Sequence, residues 1–213
     1  MTGKNPTTIT EMVDYNFYKV FTRDTEFLKK FVKRIQKLKT DHKLSHQSND
    51  DIVRQYFVEI FSWSVFTPRV VEILGTSLKK YKIKQVLDPC AGNAFHTFIL
   101  NSKLGIDVHT VDIQNEPESW LPIRELDGRS LLDELSSQEH KKSALLLSWI
   151  DYESLTIELL EKYQGKMVIS VGNYEERSPT YLEKLKEKYN LKTCIILQMP
   201  WNLEEKIEIY VRK

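Results

Sequence analysis

The most informative segment of the sequence reads Gln85-Val86-Leu87-Asp88-Pro89-Cys90-Ala91-Gly92-Asn93-Ala94. An apolar run ends in an acid, a turn of small residues follows, and a helical pattern begins. Such a turn brings backbone amides at a helix N-terminus close to a nucleotide-like ligand. A dinucleotide fingerprint needs three spaced glycines and a P-loop needs Gly-Lys-Ser/Thr, and neither is present. We therefore predict a loop for a nucleoside without phosphates, formed by Ala91, Gly92 and Asn93, in which Asp88 balances a positive ligand group.

The chain around this segment alternates short apolar runs with helical patterns from about residue 83 onward, which indicates a parallel sheet covered by helices. The predicted strands are Ile83–Asp88, Asp107–Asp112, Ser143–Trp149, Lys166–Gly172 and Leu191–Met199. The predicted helices are Ala94–Leu104, about Arg129–Gln138, Glu153–Tyr163 and Pro179–Tyr189, with Ser178 as an N-cap and with Gly105 and Gly165 at helix ends. Residues 205–211 alternate charged and apolar side chains, which is compatible with an antiparallel last strand although the alternation does not define its direction.

The residues before Ile83 form a helical pattern with a basic character. Apolar side chains recur every three or four positions between Phe27 and Leu38, with basic residues between Lys29 and Lys37 on the other face. Further helices are predicted from Ile52 to about Phe61 and from Pro68 to about Tyr81, with Thr67 as N-cap. We therefore divide the chain into a helical extension, residues 1–60, and an α/β domain, residues 61–213.

Charge is distributed unevenly between the two halves of the chain. Residues 1–85 hold 16 Lys and Arg against 9 Asp and Glu, whereas the total of 31 against 30 gives a net charge of +1. The basic helix face has two interpretations: a solvated surface, or a patch that steers an anionic partner such as RNA or DNA. No nucleic-acid-binding motif accompanies it, so both stay open.

Three further acids follow predicted strands or precede predicted helices at the same edge of the sheet. Asp112 closes the second strand, where an acid accepts hydrogen bonds from ribose hydroxyls. Asp127 precedes a glycine just before a helix, where an exocyclic adenine amine can be bound, although Asp-Gly is also an ordinary turn. Ser148, Trp149, Asp151 and Tyr152 follow the buried run 144–147. Ligands collect at the carboxyl ends of parallel strands, so these segments are predicted to converge.

These segments resemble class I S-adenosylmethionine-dependent methyltransferases, the Rossmann-like seven-stranded type, over about residues 60–213. The loop D-P-C-A-G-N-A is similar to the D-P-F-A-G-S-G form of the first motif. Three segments further resemble a group of methyltransferase-like proteins with S-W-P-P-Y at the fourth motif. They are Phe61-Ser62-Trp63-Ser64-Val65, Leu147-Ser148-Trp149 with Tyr152, and Met199-Pro200-Trp201.

The resemblance implies a doubly wound, mostly parallel seven-stranded sheet and S-adenosylmethionine as cofactor. It places Asp88, Ala91, Gly92, Asn93, Asp112 and Asp127 around the cofactor, with Trp63 as a further cofactor-binding residue that acts as a lid. It places Ser148, Trp149, Asp151 and Tyr152 on the acceptor side. In this chain Ile150 and Asp151 replace two prolines. Asp151 then serves to orient or deprotonate a hydroxyl or amine nucleophile.

Other functional interpretations remain beside methyl transfer to an unidentified acceptor. One is a methyltransferase-like module that binds the cofactor or a partner without turnover, and another is a nicotinamide-dependent oxidoreductase, which the single-glycine loop disfavours. For Asp151 and Tyr152 the alternative role is a helix N-cap with a packed aromatic ring. His96 is expected to be a half-buried helix residue, and Cys90 a small loop residue whose thiolate chemistry depends on the nearby helix N-terminus.

Cysteine content and hydropathy indicate where the protein works. Two cysteines, Cys90 and Cys194, form neither a disulfide framework nor a zinc site, and the five histidines lack metal-ligand spacing, so no metal is expected. We found neither a run of about 20 apolar residues nor a signal-peptide pattern in residues 1–20. The sequence therefore predicts a cytoplasmic protein without membrane association.

Overall fold

The computed structural model describes residue 58 and residues 61–64, 66–114, 119–173, 178–198 and 204–213. Residues 66–197 and 204–213 form one compact unit, which carries the candidate site. The basic segment Lys29–Lys37 and the tripeptide Met199-Pro200-Trp201 lie outside the described residues, so the predictions made for them stay predictions. In the part of the chain that is described, no helix is long and apolar enough to cross a bilayer.

The strands form one seven-stranded sheet in the order β3-β2-β1-β4-β5-β7-β6. Neighbouring strands from β3 to β5 are parallel, and β7 runs antiparallel to β5. The strands are β1 (Gln85–Asp88), β2 (Asp107–Asp112), β3 (Arg124–Glu125), β4 (Ser143–Ser148), β5 (Met167–Asn173), β6 (Tyr189–Gln198) and β7 (Glu204–Arg212). This confirms the predicted doubly wound, mostly parallel α/β sheet, and it defines the direction of the last strand.

The helices of this unit follow the strands as the alternation predicts. They are α1 (Pro68–Lys80), α2 (Phe95–Leu104), α3 (Gly128–Asp133), α4 (Ser137–Lys142), α5 (Glu153–Lys162) and α6 (Pro179–Lys188). Thr67 and Ser178 accept hydrogen bonds from the amides of Val70 and Tyr181, which confirms both predicted N-caps. Gly105 ends α2 in the left-handed conformation, at φ +61°, as expected for a glycine at a helix end.

The core lies on both faces of the sheet. One face of the central strands, which includes Leu87, Leu145 and Val168, packs on apolar residues of α3, α5 and α6. Asp88 lies on the opposite face, where it contacts Thr97 of α2. The sheet is therefore covered by helices on both sides, and the strand order reverses at the β1–β4 boundary, where sheets of this type usually bind their ligands.

The structure differs from the predicted elements in two places: one predicted helix is divided, and one strand was not predicted. The predicted helix Arg129–Gln138 is wrong, because the chain forms α3 and α4 separately there. Ser136 starts the second helix with a capping box, in which its side chain and that of Glu139 each accept from the other's backbone N–H. The two-residue strand β3 was missed because both residues are exposed and show no burial pattern.

Gly165 was predicted to lie at a helix end, but the structure shows that it does not end a helix. Helix α5 ends at Lys162, and its C-cap residue is Tyr163. A Cβ atom at position 165 would lie 2.1 Å from the Tyr163 hydroxyl oxygen. The glycine is therefore explained by the close approach of a buried tyrosine.

Candidate active site

The loop between β1 and α2 is hydrogen-bonded to the end of β2. The Ala91 amide donates to the Val111 carbonyl at 3.0 Å, and the Gly92 amide donates to the Asp112 carboxylate at 2.8 Å. Gly92 has φ +53°, and a Cβ there would meet no atom within 4 Å. The loop backbone therefore borders open space at the rim of the sheet, where it is accessible to a ligand.

Asp88 lies below this loop with its carboxylate buried. Only 3% of its surface is exposed, and Thr97 Oγ1 donates to its Oδ2 at 2.7 Å. The pKa of Asp88 is raised from 3.8 to about 7, mainly by burial; the Thr97 hydrogen bond opposes this rise, and repulsion from Asp112 contributes to it. Within the described part of the chain no basic side chain offsets this charge, so a cationic ligand group would stabilise the ionised form.

The pKa of the Cys90 thiol indicates that the acids of the site lie close together. Burial, as the largest cause, and the charges of Asp88, Asp112 and Asp127 together raise the pKa of this thiol from 9.0 to about 12. The three predicted acids therefore lie close enough to act on one side chain. This environment opposes thiolate formation, so the structure speaks against nucleophilic chemistry at Cys90.

Asp127 is the N-cap residue of α3 and is paired with a neighbouring arginine. Its carboxylate accepts from the Arg129 amide at 2.7 Å and from the Arg129 guanidinium at 2.5 Å, and these hydrogen bonds lower its pKa to about 2. Arg129 also contacts Glu158 at 2.8 Å. Asp127 is thus held at the site as an ionised carboxylate.

Gly128 brings this helix terminus next to the loop. A Cβ atom at position 128 would lie 2.5 Å from the Pro89 carbonyl oxygen, which no side chain tolerates. The Asp127-Gly128 pair is therefore more than an ordinary turn, because the glycine permits the contact that places Asp127 beside the loop.

Trp120 is a residue near the loop that sequence reasoning missed. Its amide donates to the Asn93 carbonyl at 2.8 Å, and its ring lies 4.9 Å from Phe95 and 5.1 Å from Phe98. The Asn93 side chain accepts from the Phe95 amide at 3.1 Å. Asn93 therefore links the start of α2 to the segment before β3, a link that no local pattern indicates.

The predicted acceptor residues follow β4, the strand next to β1. Trp149 has φ +50°, a left-handed conformation, and its amide donates to the Val171 carbonyl at 3.1 Å. Tyr152 is the N-cap residue of α5 without a side-chain cap, and 73% of its surface is exposed. Asp151 is therefore not the N-cap, and Tyr152 is not a packed aromatic residue, so the structural alternative for these two residues is wrong.

A cavity of about 350 Å³ opens beside this segment, between the ends of β4 and β5 and the starts of α5 and α6. Its lining includes Trp149, Asp151, Gly172 and Asn173. The buried hydroxyls of Ser170 and Tyr181, 2.8 Å apart, also contribute to it. The cavity offers polar groups and an aromatic face to a small ligand or to part of a larger one.

The structure thus places the predicted residues in two neighbouring groups on one rim. Asp88, Ala91, Gly92, Asn93, Asp112 and Asp127 surround the loop after β1, and Ser148, Trp149, Asp151 and Tyr152 follow β4. Trp63 belongs to a different compact unit, so its role as a lid residue stays a prediction.

Comparison with known proteins identifies the fold. No family model matches the sequence, and no curated protein sequence matches it significantly. Among solved structures, magnesium protoporphyrin IX methyltransferase (ChlM) from Synechocystis PCC 6803 with bound SAM matches with a TM-score of 0.50 and 13% identity, covering 79% of this chain and 99% of that one.

Two further structures match to the same degree. The Burkholderia thailandensis 1,6-didemethyltoxoflavin-N1-methyltransferase, with bound 1,6-didemethyltoxoflavin and S-adenosylhomocysteine, has a TM-score of 0.50 and 14% identity over 68% of this chain and 77% of that one. TrmN from Thermus thermophilus has a TM-score of 0.50 and 14% identity over 70% of this chain, which matches 49% of TrmN. The chain therefore has the Rossmann-like methyltransferase fold. The closer resemblance to the S-W-P-P-Y group stays a prediction.

Proposed function

We propose that this protein transfers a methyl group from S-adenosylmethionine to an acceptor. The observation that carries the proposal is the Asp112 carboxylate, fixed by the Gly92 amide at 2.8 Å beside a loop without a phosphate cradle. An acid at the end of the second strand is suited to a ribose diol, and the lack of further loop glycines disfavours a pyrophosphate. A nucleoside with a positively charged group fits this combination.

The remaining residues around the loop suit the other parts of such a ligand. Asp88 is a buried carboxylate that a cation would stabilise, and binding of a cation would lower its raised pKa. Ile113 follows Asp112 directly and is 68% exposed, which offers an apolar surface to a base. Asp127, ionised and held by Arg129, can accept from an exocyclic amine. Each part of the nucleoside thus has a matching group.

The residues after β4 suit the acceptor. When bound, S-adenosylmethionine supplies a sulfonium methyl group that a nucleophile displaces in line. The chain has to orient that nucleophile and accept its proton. Asp151 is exposed and lines the 350 Å³ cavity with Trp149, so it can accept a proton from a hydroxyl or amine. Candidate acceptors include both nucleic acids and small molecules.

The ligands bound in two structural neighbours support the cofactor assignment. The Synechocystis enzyme contains SAM and the Burkholderia enzyme S-adenosylhomocysteine. Those two enzymes are named for different acceptors, so the shared fold gives no acceptor for this chain.

Calorimetric titration of the full chain with S-adenosylhomocysteine, S-adenosylmethionine and NAD tests the proposal. We expect both adenosyl compounds to bind and NAD not to bind. Failure of both adenosyl compounds would overturn the proposal, and binding of NAD alone would favour an oxidoreductase. Binding without turnover on any acceptor would favour the alternative of a cofactor-binding module.

A further inference from the structure

His96 contacts the acceptor segment across the boundary between two strands. It lies in the first turn of α2 with 6% of its surface exposed, and its Nδ1 is 3.0 Å from Ser148 Oγ, 52 positions along the chain. Its ring stacks on Phe66 with a centroid distance of 4.2 Å and an interplanar angle of 17°. The stacking fixes the plane of the ring, and the hydrogen bond therefore holds Ser148 at a defined position.

The next residue of α2 makes an equivalent contact to the neighbouring strand. Thr97 Oγ1 donates to Asp88 at 2.7 Å, so adjacent helix residues hold the last residues of β4 and β1. These two strands are hydrogen-bonded neighbours in the sheet. The helix that begins at the cofactor loop thus contacts both the cofactor side and the acceptor side of the rim.

The residue that follows Ser148 needs such support. A left-handed conformation is unfavourable for a residue with a Cβ, and Trp149 adopts one at φ +50°. Strained residues persist only where the surrounding structure holds them. The Trp149 amide is bonded to the Val171 carbonyl at 3.1 Å, and a Cβ at Gly172 would lie 3.8 Å from its ring. The hydrogen bond to Val171 holds one side of the turn, and the bond from His96 to Ser148 holds the other.

We propose that His96 is a positioning residue: through Ser148 it holds the left-handed turn at Trp149, and so sets the acceptor segment 148–152 relative to the cofactor loop. The assignment of that segment to the acceptor rests on the proposed function, whereas the positioning itself rests on the contacts just given. His96 thus links the two halves of the site without touching the transferred group.

Amide hydrogen exchange at Trp149 tests the proposal with three variants of the full chain. His96→Phe keeps a ring to stack on Phe66 and removes Nδ1, and Ser148→Ala removes the other partner. His96→Asn is the conservative rescue, because its side-chain amide reaches the position of Nδ1. Loss of one hydrogen bond of ordinary strength predicts that Trp149 exchanges about five- to tenfold faster in the first two variants. We expect His96→Asn to stay close to the wild type.

The pattern of exchange separates positioning from general packing. The double variant of His96→Phe and Ser148→Ala should exchange no faster than either single variant, because both remove one bond. The amides of Leu145 and Leu146, in the middle of β4, should be unchanged. Unchanged exchange at Trp149 in both single variants would overturn the proposal. An equal rise throughout β4, or no rescue by His96→Asn, would also overturn it, since each indicates loss of packing alone.

Binding of S-adenosylhomocysteine to the same samples keeps the two proposals apart. The affinity of His96→Phe should be within about twofold of the wild type, because His96 contacts the acceptor segment. If the wild type itself does not bind S-adenosylhomocysteine, the proposed function is wrong. The exchange rates at Trp149 still test the positioning role of His96. Once an acceptor is known, His96→Phe should lower kcat and leave the KM for S-adenosylmethionine unchanged.

Discussion

The carboxylate of Asp112 accepts a hydrogen bond of 2.8 Å from the backbone amide of Gly92, which precedes it by 20 residues. The contact joins the end of β2 to the loop after β1, and the Ala91 amide reinforces it through the Val111 carbonyl. The loop is therefore held in place by the same acid that is proposed to bind the ribose. Asp112 therefore contributes both to the shape of the loop and to the charge beside it.

Asp112→Asn should weaken binding of S-adenosylhomocysteine by about tenfold or more, because hydrogen bonds to a charged group contribute about 1.5–3 kcal/mol. Titration calorimetry measures the effect. Asp107→Asn is the matched control, since Asp107 is an exposed acid at the opposite end of the same strand. Equal affinity of the two variants would contradict the role of Asp112.

Asp88 should make folding stability depend on pH between about 4 and 7. Its pKa in the folded protein is about 7, against an ordinary value of 3.8. Below pH 4 both states hold the proton. Between pH 4 and 7 only the folded state holds it, so the free energy of unfolding falls as the pH rises, and above pH 7 the loss is complete.

Urea unfolding of the wild type and of Asp88→Asn at pH 5 and pH 8 measures this contribution. The amide introduced by the substitution cannot ionise, so the variant should gain stability relative to the wild type on going from pH 5 to pH 8. The same pH dependence in both proteins would show that Asp88 does not have the raised pKa. Saturating S-adenosylmethionine should reduce the difference at pH 8, because a bound cation offsets the ionised carboxylate.

Cys90 should resist alkylation in the folded protein. Its thiol has a pKa of about 12, raised by burial and by three acids, whereas Cys194 is exposed. Only the thiolate reacts with iodoacetamide, so at pH 8 we expect Cys90 to react more than a hundredfold more slowly than Cys194. Mass spectrometry of the peptides gives both rates, and unfolding in urea should make them similar. Comparable rates in the folded chain would show that Cys90 is accessible and its thiol unperturbed.

The order of strands and helices could be predicted because continuous apolar runs in the sequence correspond to buried strands. The run before Asp88 and the run 144–147 both correspond to buried strands. Strand β3 could not be predicted, since its two exposed residues pair with β2 only through the backbone. The break between α3 and α4 carried a local signal, the pair Ser136 and Glu139, that the helical periodicity concealed.

The site could be predicted only as far as its strand ends. Acids after strands indicate the rim, since parallel strands bring their carboxyl ends to one edge. The contacts that hold those residues in place could not be predicted in this way, because they join residues that are far apart in the sequence. His96 meets Ser148 from 52 positions away, and Gly128 is needed because Pro89 approaches it. Such contacts depend on the three-dimensional placement of elements and leave no periodic pattern in the sequence.

Substitution of Asp151 should distinguish an active methyltransferase from a module that only binds the cofactor. It is exposed, lines the cavity after β4 and is not the N-cap of α5, so the local structure does not require its carboxylate. If it accepts the proton of the nucleophile, Asp151→Asn should lower turnover by about a hundredfold or more. Affinity for S-adenosylhomocysteine should be unchanged, because the proposed role of Asp151 is on the acceptor side.

Turnover is measured as release of S-adenosylhomocysteine from S-adenosylmethionine, with nucleosides, RNA and small aromatic amines offered as acceptors. Asp107→Asn again serves as the control and should retain wild-type turnover, since it lies at the other end of the sheet. If Asp151→Asn is as active as the wild type, another group accepts the proton. If the wild type binds the cofactor and transfers its methyl group to none of these acceptors, the alternative of a module that binds without turnover is favoured.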